Sequence, residues 1–222
     1  MMAEIAAKLD KYFFRLIVPA IGDTLAMLAA TMVLATVLGF VISVVLVITR
    51  KGGLRPNRWV YGVLNFLVNF IRSFPIMILI VALLPLTRVV MGTTMGVQGA
   101  VFPLTVAATP FMARIFENAM VEVDPQLIEA ARSFGASNVQ IIFFVLLKEA
   151  VPSIVSGTTL ATVTYLSATT IAGAIGAGGL GSIAMNYGYH RFDDVILYTG
   201  VVILCILVQL IQLIGGWIYK RL

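Results

Sequence analysis

Ten acidic side chains, one histidine and one cysteine are the first candidates this 222-residue chain offers to acid–base or nucleophilic chemistry, and their spacing serves neither. Asp193 and Asp194 adjoin, which suits capping of a following helix and not the opposed placement a general acid and base need. Cys205 lies inside an apolar run, with no second cysteine for a disulfide and no neighbouring ligands for a metal. His190 stands between Tyr189 and Arg191 and reads as a solvated loop residue. No serine or cysteine has a base placed to activate it. Gly176, Gly178, Gly179 and Gly181 spell a literal GxGxxG. They follow an apolar span instead of a strand, no βαβ unit surrounds them, and no GxxxxGK[ST] is present. A close-packed glycine loop is expected there, with no cofactor bound by this chain.

Composition explains why catalytic groups are scarce. Sixty per cent of residues are hydrophobic, 11% are charged and the mean hydropathy is +1.04, against about 25% charged in ordinary soluble domains. Such a chain lacks the polar surface to face water, so the bilayer is its expected solvent. A net charge of +5 reads as the basic bias of membrane loops and not as a nucleic-acid footprint.

About 20 apolar helical residues cross a bilayer. Five stretches meet or approach that length, at Thr24–Thr49, Val60–Leu84, Val97–Phe116, Ile154–Ile175 and Val195–Tyr219. An all-α membrane protein of five transmembrane helices follows, as one domain over residues 1–222 with a tail at 1–23. The 23 mixed residues ahead of span one do not read as a secretory signal, and residues 1–15 are expected to form an amphipathic surface helix. Arg50, Lys51, Arg55, Arg58, Arg114, Arg132, Lys148, Lys220 and Arg221 fall on one side. The other holds Arg88, Arg191, Lys8, Lys11 and Arg15. The positive-inside rule places the C-terminus in the cytoplasm and the N-terminus outside.

Arg72 and Arg114 fall within these spans, and Glu117 directly follows span three. Arg72, deep in span two, has Glu117 as its candidate partner, either as a structural pair or as part of a gate. Pro75 and Pro110 can each kink or break a span that lines a cavity.

The polar island from Asp124 to Pro152 lies between spans three and four, on the basic side. Asp124-Pro125 is a helix start, Gly135 supplies a left-handed stop, and Ser137 with Gln140 forms a capping-box pattern. A first helix therefore carries Leu127, Ile128, Glu129, Ala130, Ala131, Arg132 and Phe134. Glu129 and Arg132, three apart, can pair with each other or with a partner. A second, apolar helix over Val139–Leu147 is expected to lie against the membrane domain, with Pro152 marking the start of span four.

Glu129-Ala130-Ala131, then Gly135 and Leu147, resembles the EAA signature of ABC-importer permeases; Val145 and Lys148 stand where the family pattern has Ile and Pro. The runs Asn69–Pro75, Pro85–Arg88, Pro103–Val106, Arg114 with Glu117-Asn118, Gly173–Gly181 and Tyr187–Tyr189 extend the resemblance to methionine-type importer permeases over most of residues 20–215. It implies a multi-pass inner-membrane permease that acts as a homodimer. It also implies two copies of a cytoplasmic ABC ATPase that bind the ATP and Mg, and an extracytoplasmic methionine-binding protein. The segment at 124–152 would be the coupling helix, and the glycine loop would lie near the outer mouth of the path. A permease for another amino acid, a self-contained channel or secondary transporter, and a membrane anchor for a cytoplasmic complex are the rival classes.

Overall fold

The computed structural model describes residues 13–222; the expected surface helix over residues 1–15 falls almost wholly outside them. Its first element, α1 (Phe13–Thr49), is longer than the span expected from Thr24. Its buried residues recur every three or four positions, from Thr24, Met27 and Leu28 through Ala35, Gly39 and Ser43 to Leu46. That stripe seats α1 along α4 (Gly96–Val121), which is buried over most of its length and rich in alanine. Gly39 sets their spacing: a Cβ there would come within 2.7 Å of the Met112 Cβ and 2.9 Å of the Ala113 backbone nitrogen.

Span two is two helices, α2 (Arg58–Arg72) and α3 (Ile76–Met91), bent by 107° at Ser73–Pro75. Pro75 explains the break. It has no N–H to continue a helix, and its ring pushes the residue before it out of the helical region. Pro110, by contrast, lies inside an unbroken α4. Asn57 starts α2 by accepting from the Trp59 and Val60 N–H groups at 3.1 and 3.2 Å.

A polar seam then fastens α2 to α4. Tyr61, Asn65 and Asn69 recur every four residues. The Tyr61 hydroxyl donates to Glu117 Oε1 at 3.4 Å, and the Arg114 guanidinium donates to Glu117 Oε2 at 2.5 Å. Arg114 also donates to Asn65 Oδ1 and, at 3.1 Å, to Asn69 Oδ1. Glu117 is 4% exposed. Its partner is Arg114 and not Arg72, because Arg114 lies one helical turn away on the same face of α4. Between Tyr61 and Arg72, α2 runs ~16 Å, but its contacts advance from Glu117 only to Phe111, ~9 Å along α4 at 1.5 Å per residue. The half-helix therefore climbs obliquely from the basic end of α4 to its middle.

After α5 (Pro125–Ser133), α6 (Asn138–Ala177) runs as one helix through Pro152 and breaks only near its end, at Ile175–Gly176. The expected division between an island helix and span four at Pro152 is absent. Proline removes one backbone bond, a loss that packed membrane helices accommodate. A π-helical turn at Ile141–Leu146 buries Ile141, Ile142 and Leu146 under the bundle. The glycine-rich corner at 173–178 leads to α7 (Gly179–Ile183) and a further π-helical turn, Ala184–Tyr189. Asp193 then accepts from the Ile196 N–H to begin α8 (Asp194–Tyr219), which is apolar on nearly every face and exposed along most of its length. The main core gathers buried residues of α1, α3, α4 and α6; a smaller one joins Ile17, Ala20, Leu180, Ile183 and Ile196 at the opposite end from α5. Four single helices and the broken pair account for the five expected crossings.

Gly39→Ala should destabilise the detergent-solubilised protein by about 1–3 kcal/mol through overpacking, while Gly22→Ala, which meets nothing within 4 Å, should not. Denaturation midpoints decide between them. Arg114→Met and Glu117→Met should each cost about 3–5 kcal/mol by leaving a charge unmatched, and the double variant should recover part of that loss in the same measurement.

Candidate functional site

Three features are built on this frame. The first is α5. Asp124 accepts from the Gln126 N–H at 2.8 Å, and Pro125 occupies the first helical position. At the other end the Gly135 N–H donates to the Arg132 carbonyl and the Ala136 N–H to the Ala131 carbonyl. This is the paired C-terminal motif that a left-handed residue permits, and Gly135 has φ +80°. Ser137 and Gln140 cap each other's backbone directly afterwards, at 2.8 and 3.3 Å. Ile128 and Ala131 rest on the core. Leu127, Ala130 and Phe134, at offsets of three and four, are exposed, Phe134 to 91%. Glu129 and Arg132 are also exposed and do not pair with each other. The helix thus has one face held by the bundle and one face free, bearing an aromatic knob beside charges of both signs. A glycine corner only a few residues long joins it to α6.

The second feature is the outward face of α6. Ser153, Ser156, Leu160, Thr164 and Ser167 recur at three- or four-residue intervals and are all exposed. Thr164 satisfies its hydroxyl on the Leu160 carbonyl at 2.9 Å. A span facing only lipid would be apolar, so this stripe suits a water-filled path or a second copy. The sequence reading missed it, although hydroxyls at helical spacing inside a span were its visible signal.

The third is the break in span two. Arg72 ends α2 with its guanidinium 5.8 Å from the centre of the Phe111 ring, and Phe111 meets Tyr165 of α6 edge to face at 6.0 Å. Phe111 is in the middle half of α4. Arg72 is therefore an exposed cation at mid-depth, without a hydrogen bond or ion pair among the described residues. A charge there costs at least about 2.5 kcal/mol if it faces hydrocarbon. Pro75 lies beside it as the residue before α3.

The glycine loop, at the far end, is filled by protein. The Leu180 N–H donates to the Thr24 hydroxyl at 2.9 Å, and a Cβ on Gly181 would lie 2.1 Å from the Thr170 carbonyl oxygen. Gly176, Gly178 and Gly179, all at positive φ, turn the chain toward α1. Of the residues singled out from sequence, Arg114 and Glu117 meet in the seam, Arg72 stands apart from them at the break, and α5 follows the basic end of α4.

Residues 45–222 match the family described as binding-protein-dependent transport system inner membrane component. A Vibrio cholerae protein named probable D-methionine transport system permease protein MetI is 43% identical over 93% of this chain and 92% of its own length. A Bacillus subtilis methionine import system permease protein, MetP, is 42% identical over 78% of each chain. A solved structure described as an inward-facing conformation of the MetNI methionine ABC transporter superposes with a TM-score of 0.92. It is 41% identical and covers 94% of this chain and 97% of its own. Likeness to an amino acid ABC transporter at 16% identity, with a TM-score of 0.77, speaks for the fold alone. With its crossing helices and a family match over most of its length, the chain belongs to the binding-protein-dependent transport system inner membrane components, as a multi-pass protein of the inner membrane.

Proposed function

We propose that this chain is the permease subunit of an ATP-driven methionine importer. It acts as a homodimer, with two copies of a cytoplasmic ABC ATPase that hold the ATP and Mg, and receives methionine from an extracytoplasmic binding protein. The observation that carries the reading is α5: a short capped helix with a free apolar face, on the basic and hence cytoplasmic side, joined through Gly135 to the long helix α6 that crosses the bundle. The names of the relatives supply methionine as the cargo.

In this reading Leu127, Ala130 and Phe134 seat in a groove of the ATPase while Glu129 and Arg132 meet its polar rim. ATP binding draws the two ATPases together and carries each α5 with them. The tight corner and the capping box leave little slack between α5 and α6, so the hydroxyl stripe on α6 shifts with the docked helix. The bundles rock between access to one side and access to the other around a path lined by Ser156, Thr164 and Ser167. Energy comes from the ATPase; this chain turns its motion into access.

Phe134→Ala should weaken capture of the ATPase about tenfold, the loss expected for a central aromatic anchor, and Gly135→Val should do the same by straining a positive-φ corner. Both variants should still insert, and both should lose ATP-dependent methionine uptake in vesicles. Normal uptake by both would remove α5 from the coupling path. In the unaltered complex, uptake should require ATP, the ATPase and the binding protein together; methionine transport by this chain alone would place it among self-contained channels or secondary transporters.

A further inference from the structure

Arg72 is not explained by the architecture of the chain. Among the described residues no acid stands beside it. Of the ten acidic residues, Glu117 is held by Arg114 and Tyr61 in the seam. Asp23 lies near the start of α1, with an oxygen 3.4 Å from where a Gly178 Cβ would be, at the glycine-loop end. Glu122, Asp124 and Glu129 follow or enter the island at the basic end of α4, and Glu149 lies two turns nearer that end of α6 than Gly157, which meets Ile115. Asp193 and Asp194 start α8, and Glu4 and Asp10 precede span one. None of the described acids is placed at the level of Phe111.

What surrounds the guanidinium is suited to a small zwitterion. The Phe111 ring fixes its depth, and Tyr165, buried in the core behind it, braces that ring from α6. Thr164 and Ser167, within two residues of Tyr165 in sequence, put exposed hydroxyls at the same level of α6, on the stripe proposed to line the path. The break at Ser73–Pro75 also leaves the first turn of α3 without a side-chain cap, so its partial positive charge adds to that of Arg72. Arginine presents a planar fork that matches a carboxylate through two parallel hydrogen bonds, which a lysine does not reproduce.

We infer that Arg72 is a binding residue for the cargo: it receives the carboxylate of an amino acid crossing between two copies of the chain, with the side chain of the cargo lying along Phe111. This rests on the importer reading above. It assigns a carboxylate-recognition point at mid-depth to span two, whereas the stripe on α6 serves the rest of the path. A carboxylate held by one exposed cation is released as readily as it is bound once the access changes, which suits a transit point better than a storage site.

The test uses vesicles containing the full complex with its ATPase and binding protein. Uptake of radiolabelled methionine and hydrolysis of ATP are measured together. Arg72→Gln should lower methionine uptake per ATP hydrolysed at least tenfold, and Arg72→Lys should lower it less. A ratio within twofold of the unaltered complex in Arg72→Gln overturns the proposal. So does a parallel fall of uptake and hydrolysis that leaves the ratio unchanged, since that is the mark of a merely structural arginine. Should Arg72→Gln fail to assemble, the unaltered complex decides, freed of binding protein and equilibrated with radiolabelled methionine. Unlabelled methionine should displace the bound label at least tenfold better than methioninamide, which lacks the carboxylate charge; equal displacement, or no bound label, overturns the assignment. If the unaltered complex takes up no methionine at all, the importer reading fails first, and this inference falls with it for that separate reason.

Discussion

Inside hydrocarbon, every polar group must find a partner in the protein or face water, and the arrangement of this chain follows from that constraint. The buried Arg114–Glu117 pair is the clearest case. Its charges are matched, and the remaining hydrogen-bonding capacity is taken up by Tyr61, Asn65 and Asn69 on α2. Without α2 the pair would be left open, and without the pair the polar face of α2 would have nothing to bond. The seam therefore fixes the oblique path of α2 and the depth at which span two breaks. Breaking one member of such a network is costly, even though a well-packed apolar replacement of the whole would be tolerated.

The same constraint separates structural from working polar groups. The glycine loop is close-packed against α1, with its backbone satisfied by Thr24. By contrast, Arg72, the hydroxyl face of α6 and the outer face of α5 remain uncovered in the protomer. These are the surfaces that require water, cargo, a second copy or an ATPase. In the proposed mechanism, their order along the molecule, from α5 through α6 to the break in span two, is the route by which motion at the ATPase reaches the path.

Much of this was legible in the sequence because the signals were local. Asp124-Pro125, Gly135, the Ser137–Gln140 box and Asp193 each act within one helical turn, and each forms the cap its residue types call for. The five crossings were legible from length and hydropathy, and Pro75 does break span two. The errors came from contacts between elements. Glu117 was assigned to Arg72 across two spans, when the three-residue offset to Arg114 was the stronger signal. Pro152 was read as a boundary, yet it lies inside α6 because neighbouring helices make up for its missing bond. The 107° bend is likewise beyond local rules: a proline permits a break, but the seam with α4 sets its angle.

In the proposed mechanism, movement of the docked α5 is carried by α6 to the path between two copies. Pulsed distance measurement between spin labels at position 167 of the two copies, with Cys205 replaced, tests it most directly. One distance distribution is expected in the nucleotide-free complex and a clearly displaced one when ATP is bound, with the displacement lost in Gly135→Val. An unchanged distribution in a complex that hydrolyses ATP and takes up methionine would contradict it.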